Sequence, residues 1–126
     1  MLDVPAPLIA ALNGPATVHT EYALLADVVL ATPDSIFQDK PHLNFGILPG
    51  DGVHSLWQEV VGPIRGRTSV LTQQIIGAGE AKTLGAVTEI VPRDKLMARI
   101  VDESVGYGRA REHLRRRRRS NERPTD

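Results

Sequence analysis

The sequence predicts one α/β domain, and three observations carry that expectation. Short apolar, β-branched runs alternate with segments of helical period. Each run is too short to be a helix. Asn, Gly and Pro clusters punctuate the boundaries between them. Strands separated by helices require crossover connections, and these make parallel pairs. The chain has 126 residues, 41% hydrophobic and 24% charged, which suits a single soluble domain.

Leu8 to Leu12 is an apolar run closed by Asn13-Gly14-Pro15, a buried strand and its turn. Glu21 to Ala26, rich in Ala and Leu, predicts a short helix. Asp27 to Ala31 is a second apolar strand, closed by Thr32-Pro33-Asp34, and Ser35 to Gln38 a short third one. A loop dense in Pro and Gly is expected from Asp39 to Gly52. Val53, Leu56, Trp57, Val60 and Val61 then fall on one helical face, and Gly62-Pro63 stops that helix. A second helix is predicted over residues 64–73, with Ile64, Val70 and Leu71 packing. A third runs over residues 80–84, with Gly85 as its cap. Ala86 to Val91 is the last strand. A final helix opens at Pro92-Arg93-Asp94 and presents Leu96, Met97, Ile100, Val101 and Val105 as its stripe.

The composition excludes several classes. There are no cysteines, so disulfides, thiolate metal sites and cysteine nucleophiles are ruled out. No apolar run approaches the roughly 18 to 20 residues of a membrane span. Met1-Leu2-Asp3-Val4-Pro5 lacks the basic leader of a secretory signal, so a cytoplasmic location is expected. The formal net charge of zero hides an asymmetry: residues 1–108 hold 7 basic and 12 acidic residues, net −5, and residues 109–126 hold 8 and 3, net +5. Arg115 to Arg119 is an unbroken arginine run. It reads either as a nucleic-acid or membrane-surface patch or as a solvated helix end. The absence of aromatics to stack on bases favours the second, so residues 109–126 are expected to be a basic, disordered tail, with neither nucleic acid nor membrane as a partner.

Two stretches could do chemistry. Asp39-Lys40-Pro41-His42 leads into Gly46-Ile47-Leu48-Pro49-Gly50-Asp51-Gly52-Val53-His54, a constrained loop ending at a helix start. A carboxylate there could orient an imidazole that deprotonates water, although the spacing alone also fits a purely structural pair. Asn13-Gly14-Pro15-Ala16-Thr17-Val18-His19-Thr20-Glu21 follows a strand end, where ligands bind in α/β sheets. It places two titratable groups, His19 and Glu21, before a helix, and a helix-capping segment with an exposed His is the structural alternative. The four histidines show no metal-ligand spacing.

Together these stretches resemble the crotonase superfamily, the enoyl-CoA hydratase/isomerase family. The resemblance rests on Pro7-Leu8-Ile9-Ala10-Ala11-Leu12-Asn13-Gly14, Leu24 to Ala31, Phe37 and Gly46 to Gly52. Gly66-Arg67, Leu71-Thr72 and Ala81 to Pro92 extend it. It implies a partial crotonase fold, the ClpP-like spiral, over residues 1–108, lacking the N-terminal strands and the C-terminal trimerisation helices of members about twice as long. Such members form trimers or hexamers. The resemblance therefore implies a truncated chain with apolar surface left for a partner.

The departures from the hydratase pattern are specific. Thr17-Val18-His19-Thr20 replaces the glycine run after the Asn-Gly turn, and His42 stands where hydratases carry a catalytic glutamate. Phe37-Gln38-Asp39, Pro41-His42, Gly50 to His54 and Trp57 resemble the 6-oxocamphor hydrolase type, which cleaves cyclic β-diketones by retro-Claisen hydrolysis without coenzyme A. The resemblance implies His42 and Asp51 as a water-activating dyad within about 3 Å. It implies His19 as a second histidine that contacts a substrate carbonyl and protonates the enolate. His54 and Trp57 are read as helix and packing residues. No cofactor or metal is expected. The alternatives are an acyl-CoA hydratase or isomerase using Asp51, with acyl-CoA as substrate, and an inactive fragment serving as an interaction module.

Overall fold

The computed structural model describes residues 6–50 and 52–121, with side chains through residue 113. The elements follow in the order β1 (Ile9–Leu12), α1 (Glu21–Leu24), β2 (Val28–Ala31), β3 (Ile36–Phe37), α2 (Pro41–Asn44), α3 (Val53–Val61), α4 (Pro63–Leu71), β4 (Ile76–Gly77), α5 (Ala78–Thr83) and β5 (Glu89–Ile90). A 3-10 turn, Arg93–Lys95, then leads into α6 (Leu96–Asn121).

Strands β1, β2 and β5 form a parallel sheet in the order β1-β2-β5, as the alternation of strand and helix predicts. Ile9 pairs with Val28 and Leu12 with Ala31, while Leu30 and Ala31 pair with Glu89 and Ile90. The central strand is buried throughout. Its near-continuous apolar run is what a strand covered on both faces requires. Successive side chains point to opposite faces, and the core divides accordingly. Leu12, Val29 and Ala31 join Phe37, Val53, Trp57, Val70 and Ile76 in the larger cluster. Val28 and Leu30 pack with Val91, Leu96 and the half-buried Ile100 on the other face.

The second sheet escaped the sequence reading. Strand β3 pairs antiparallel with β4, Phe37 opposite Ile76. Strand β4 is too short to announce itself by periodicity. The last strand is also shorter than expected, with pairing confined to Glu89–Ile90. The expected loop of residues 39–52 contains a helical turn, α2, with Pro41 in its first turn, where proline's fixed φ and missing N–H cost nothing.

Packing upholds the stripe of α3 and corrects those of α4 and α6. On α3, Val53 and Trp57 are buried and Leu56, Val60 and Val61 half-buried. On α4, Val70 is buried but Ile64 and Leu71 are exposed. The buried positions there are Gly66, Ser69 and Val70, because α4 crosses α3 so closely that a Cβ on Gly66 would stand 2.5 Å from the Gln58 nitrogen. On α6, Leu96 is buried, whereas Met97, Val101 and Val105 are exposed. Only the Leu96 side of that helix meets the sheet.

The helix continues across the expected boundary at residue 108 to Asn121. Residues 109–121 thus take helical backbone geometry, in keeping with arginine's good helix propensity. Gly85 takes φ +85° just after α5, in the expected capping place.

Candidate functional site

The site is built at the carboxyl ends of β1 and β3, where an α/β sheet leaves room for ligands. After β1 the chain turns at Asn13-Gly14, and Gly14 takes φ +129°. The Ser35 hydroxyl clasps that turn. It donates to the Leu12 carbonyl at 3.1 Å and accepts from the backbone N–H groups of Gly14 and Thr32 at 3.3 and 3.1 Å. Arg93 closes the outer side, reaching the Asn13 side chain and the Asp34 carboxylate, each at 2.6 Å. The Asp34 carboxyl is held below its ordinary value, chiefly by the Thr32 hydroxyl, then by its own backbone N–H and by Arg93.

The loop beyond the turn lies alongside β3. Ala16 donates to the Ile36 carbonyl and accepts from Gln38, and Thr17 accepts from Lys40, at 2.8 to 3.1 Å. This pairing brings the His19 and His42 segments together on adjacent stretches of backbone, although they are separated in sequence.

His19 adopts φ +53°, a left-handed conformation that costs a residue with a Cβ about 1–3 kcal/mol. The turn lets a residue only two places on reach back to it: His19 Nδ1 lies 2.8 Å from Glu21 Oε1. The Glu21 carboxyl is 2% exposed while the imidazole is 47% exposed. The ring also stacks on Tyr22, with centroids 5.3 Å apart. Beneath this turn, Trp57 Nε1 donates to the buried Thr20 hydroxyl at 3.1 Å, and the indole meets Phe37 edge-on. Trp57 is thus the packing residue that the sequence predicts, placed under the site.

His42 sits on α2 with its Nδ1 2.6 Å from Asp39 Oδ1, and that carboxyl is 2% exposed. The expected partner, Asp51, lies outside the described residues. Sequence reasoning missed Asp39 in this role. The available signal was Pro41: a helical turn opening there carries residues 39 and 42, three apart, to the same side. Gln73 pins α2 in place, its amide donating to the Lys40 carbonyl and to Asn44 Oδ1 at 3.1 and 3.0 Å. Gly46, with φ +67°, turns the chain out of α2 so that Ile47 donates back to the His42 carbonyl at 2.8 Å. His54 is exposed on α3, with its Nε2 3.1 Å from the Ser55 hydroxyl.

The two histidines share one design. Each Nδ1 faces a carboxylate buried in the protein, and the second oxygens, Glu21 Oε2 and Asp39 Oδ2, are buried without a hydrogen-bond partner among the described residues. An ionised carboxylate only accepts. With both ionised, Nδ1 is the donor in each pair, and proton transfer by the ring falls to Nε2. Carboxylate-held imidazoles of this kind serve as general bases and, once protonated, as general acids.

Comparison with known proteins places this architecture. The enoyl-CoA hydratase/isomerase family matches residues 1–107. Among solved structures, the chain is similar to a β-diketone hydrolase from the cyanobacterium Anabaena sp. PCC 7120, bound to (S)-3-oxocyclohexyl acetic acid: 40% identity and TM-score 0.80 over 94% of this chain and 51% of that one. It is 38% identical over 89 residues to a 2,3-dehydroadipyl-CoA hydratase of Escherichia coli K12, 70% of this chain and 34% of the relative. It is 32% identical over 93 residues to a short-chain-enoyl-CoA hydratase of Clostridioides difficile, 74% of this chain and 59% of the relative. The chain therefore spans between about a third and three-fifths of these relatives' lengths. With its parallel sheet, its Asn-Gly turn and its partial crotonase fold, the chain belongs to the enoyl-CoA hydratase/isomerase, or crotonase, family.

Proposed function

We propose that this chain carries the site of a hydrolase that cleaves a C–C bond in a cyclic β-diketone. The carrying observation is the pair of carboxylate-held imidazoles, His42 on Asp39 and His19 on Glu21. Hydration by two glutamates needs carboxylates presented to the substrate. Here Glu21 and Asp39 are buried and turned onto imidazoles. The similarity to a β-diketone hydrolase over nearly the whole chain points the same way.

In this reading His42 Nε2 accepts a proton from water as the water oxygen attacks one ring carbonyl. Asp51, near in sequence on the Gly-rich loop, assists the resulting imidazolium. The C–C bond breaks, its electron pair passes into the enolate of the second ketone, and a carboxylic acid forms at the attacked carbon. His19, entering as the imidazolium, stands at the second carbonyl and gives its Nε2 proton to the enolate carbon; the proton left on His42 passes to solvent, from which His19 is reprotonated. Localised charge stabilisation of this kind is worth most in a site that excludes water. No coenzyme A is needed, because the second ketone already stabilises the carbanion.

The curated relatives favour a second reading, in which Asp51 serves an acyl-CoA hydratase or isomerase. Assays with both substrate classes separate the two. Hydrolysis of a cyclic β-diketone, lost by about a hundredfold or more in His42→Ala and lowered less in His19→Ala, is the expected result. Turnover of crotonyl-CoA with none of the diketone would overturn it.

A further inference from the structure

We infer that Glu21 is a positioning residue for His19, holding the imidazole with its proton on Nδ1 so that Nε2 is the atom that exchanges protons with substrate. This deepens the proposed reaction, and rests on it only for the kinetic half of the test.

The argument starts from exposure. A histidine 47% exposed is not oriented by burial, yet three features hold this one. Its backbone sits in the left-handed region at φ +53°. Its ring stacks at an interplanar angle of 20° on Tyr22, which is itself exposed. Its Nδ1 meets a carboxyl that is 2% exposed, at 2.8 Å. A carboxylate is costly to bury and is retained where it is paired. Glu21 is the first residue of α1, and at a helix of only four residues the dipole supplies little compensation. Its only described partner is the imidazole.

The proton inventory follows. When His19 is protonated, Glu21 balances the charge, and Nε2–H is the proton available to the enolate carbon. When that proton leaves, Nδ1–H stays on the ring, bonded to Oε1, and Nε2 is left with a lone pair. Without the carboxylate the ring could rotate or carry its single proton on Nε2, and the acid and acceptor states would no longer occupy one place.

The test is histidine-selective ¹⁵N labelling of the full chain, with His19 assigned by its loss in His19→Gln. At a pH where the ring is neutral, the wild type should show a protonated Nδ1 and a bare Nε2. Glu21→Gln keeps a carbonyl oxygen in the same place and should retain that tautomer; Glu21→Ala should lose it. In diketone hydrolysis, Glu21→Ala should lower kcat by roughly tenfold, no more than His19→Ala does, with little change in KM, and Glu21→Gln should recover most of the loss. A bare Nδ1 in the wild type would overturn the assignment, as would an unchanged tautomer in Glu21→Ala. If Glu21→Ala does not fold, the wild-type spectrum and Glu21→Gln still decide. A chain with the expected tautomers but no diketone turnover would uphold Glu21's role and reject the proposed reaction.

Discussion

At the residue scale the site turns on two hydrogen bonds between imidazoles and buried carboxylates. Truncating one partner of such a pair leaves the other to meet the cost of desolvation alone. Asp39 is the sharper case, because its carboxyl touches His42 at 2.6 Å and is almost wholly buried. Asp39→Ala is expected to lower kcat for diketone hydrolysis by on the order of a hundredfold, through loss of imidazole orientation, with KM little changed. Steady-state kinetics beside Asp51→Asn would apportion the two carboxylates. Full activity in Asp39→Ala would return the orienting role to Asp51. The Asp39 pairing had a signal in the sequence, Pro41 and the three-residue spacing, but the sequence reading paired His42 with Asp51 instead. The Glu21 pairing had none, because two residues apart on a helix do not face each other and Glu21 is read as the start of one. The left-handed turn at His19 makes that contact.

At the element scale, the close crossing of α3 and α4 holds Trp57 under the His19 turn. Gly66 makes the crossing possible: an added Cβ would lie 2.6 Å from the Gln58 Cα and 2.8 Å from the Trp57 carbonyl carbon. These are backbone atoms, which cannot swing aside as a side chain would. Gly66→Ala should therefore destabilise the fold by roughly 1–3 kcal/mol, measured as a lower midpoint in urea unfolding. An unchanged midpoint would mean that the two helices part without cost. The helical periods of α3 and α4 were readable in the sequence, but the face that α4 buries was not. Ile64 and Leu71 are the more hydrophobic choices and lie exposed, because close approach selects a glycine over a large side chain.

At the scale of the whole molecule, several large apolar side chains face outward. Phe45 and Leu48 are 77% and 78% exposed on the segment after α2, and Ile64, Leu71, Met97, Val101 and Val105 add to them. Met97, Val101 and Val105 recur every four residues along one face of α6, as a helical stripe does. Scattered exposed apolars are ordinary, but contiguous ones favour association. The chain on its own is expected to self-associate or aggregate, as read by light scattering across a concentration series. A monodisperse monomer with a single cooperative melt would show that this surface is tolerated in water. Among the described residues, no helix is long and apolar enough to cross a membrane.

The parallel sheet, the order of its elements, the family and the segments that carry His19 and His42 all follow from the sequence. Apolar runs, turn residues and motif order are local properties, and they survive without knowledge of what packs where. The partners of the two histidines, the β3–β4 pair and the faces of α4 and α6 were decided by the tertiary structure. Each depends on distance between segments: a two-residue strand exists only because its partner is beside it, and a helix face is buried only where another element covers it. The geometry of the candidate site belongs to this second group. Its histidines are common residues in loops until the backbone pairing of residues 16–17 with residues 36–40 sets them on adjacent stretches of backbone and two buried carboxylates orient their rings.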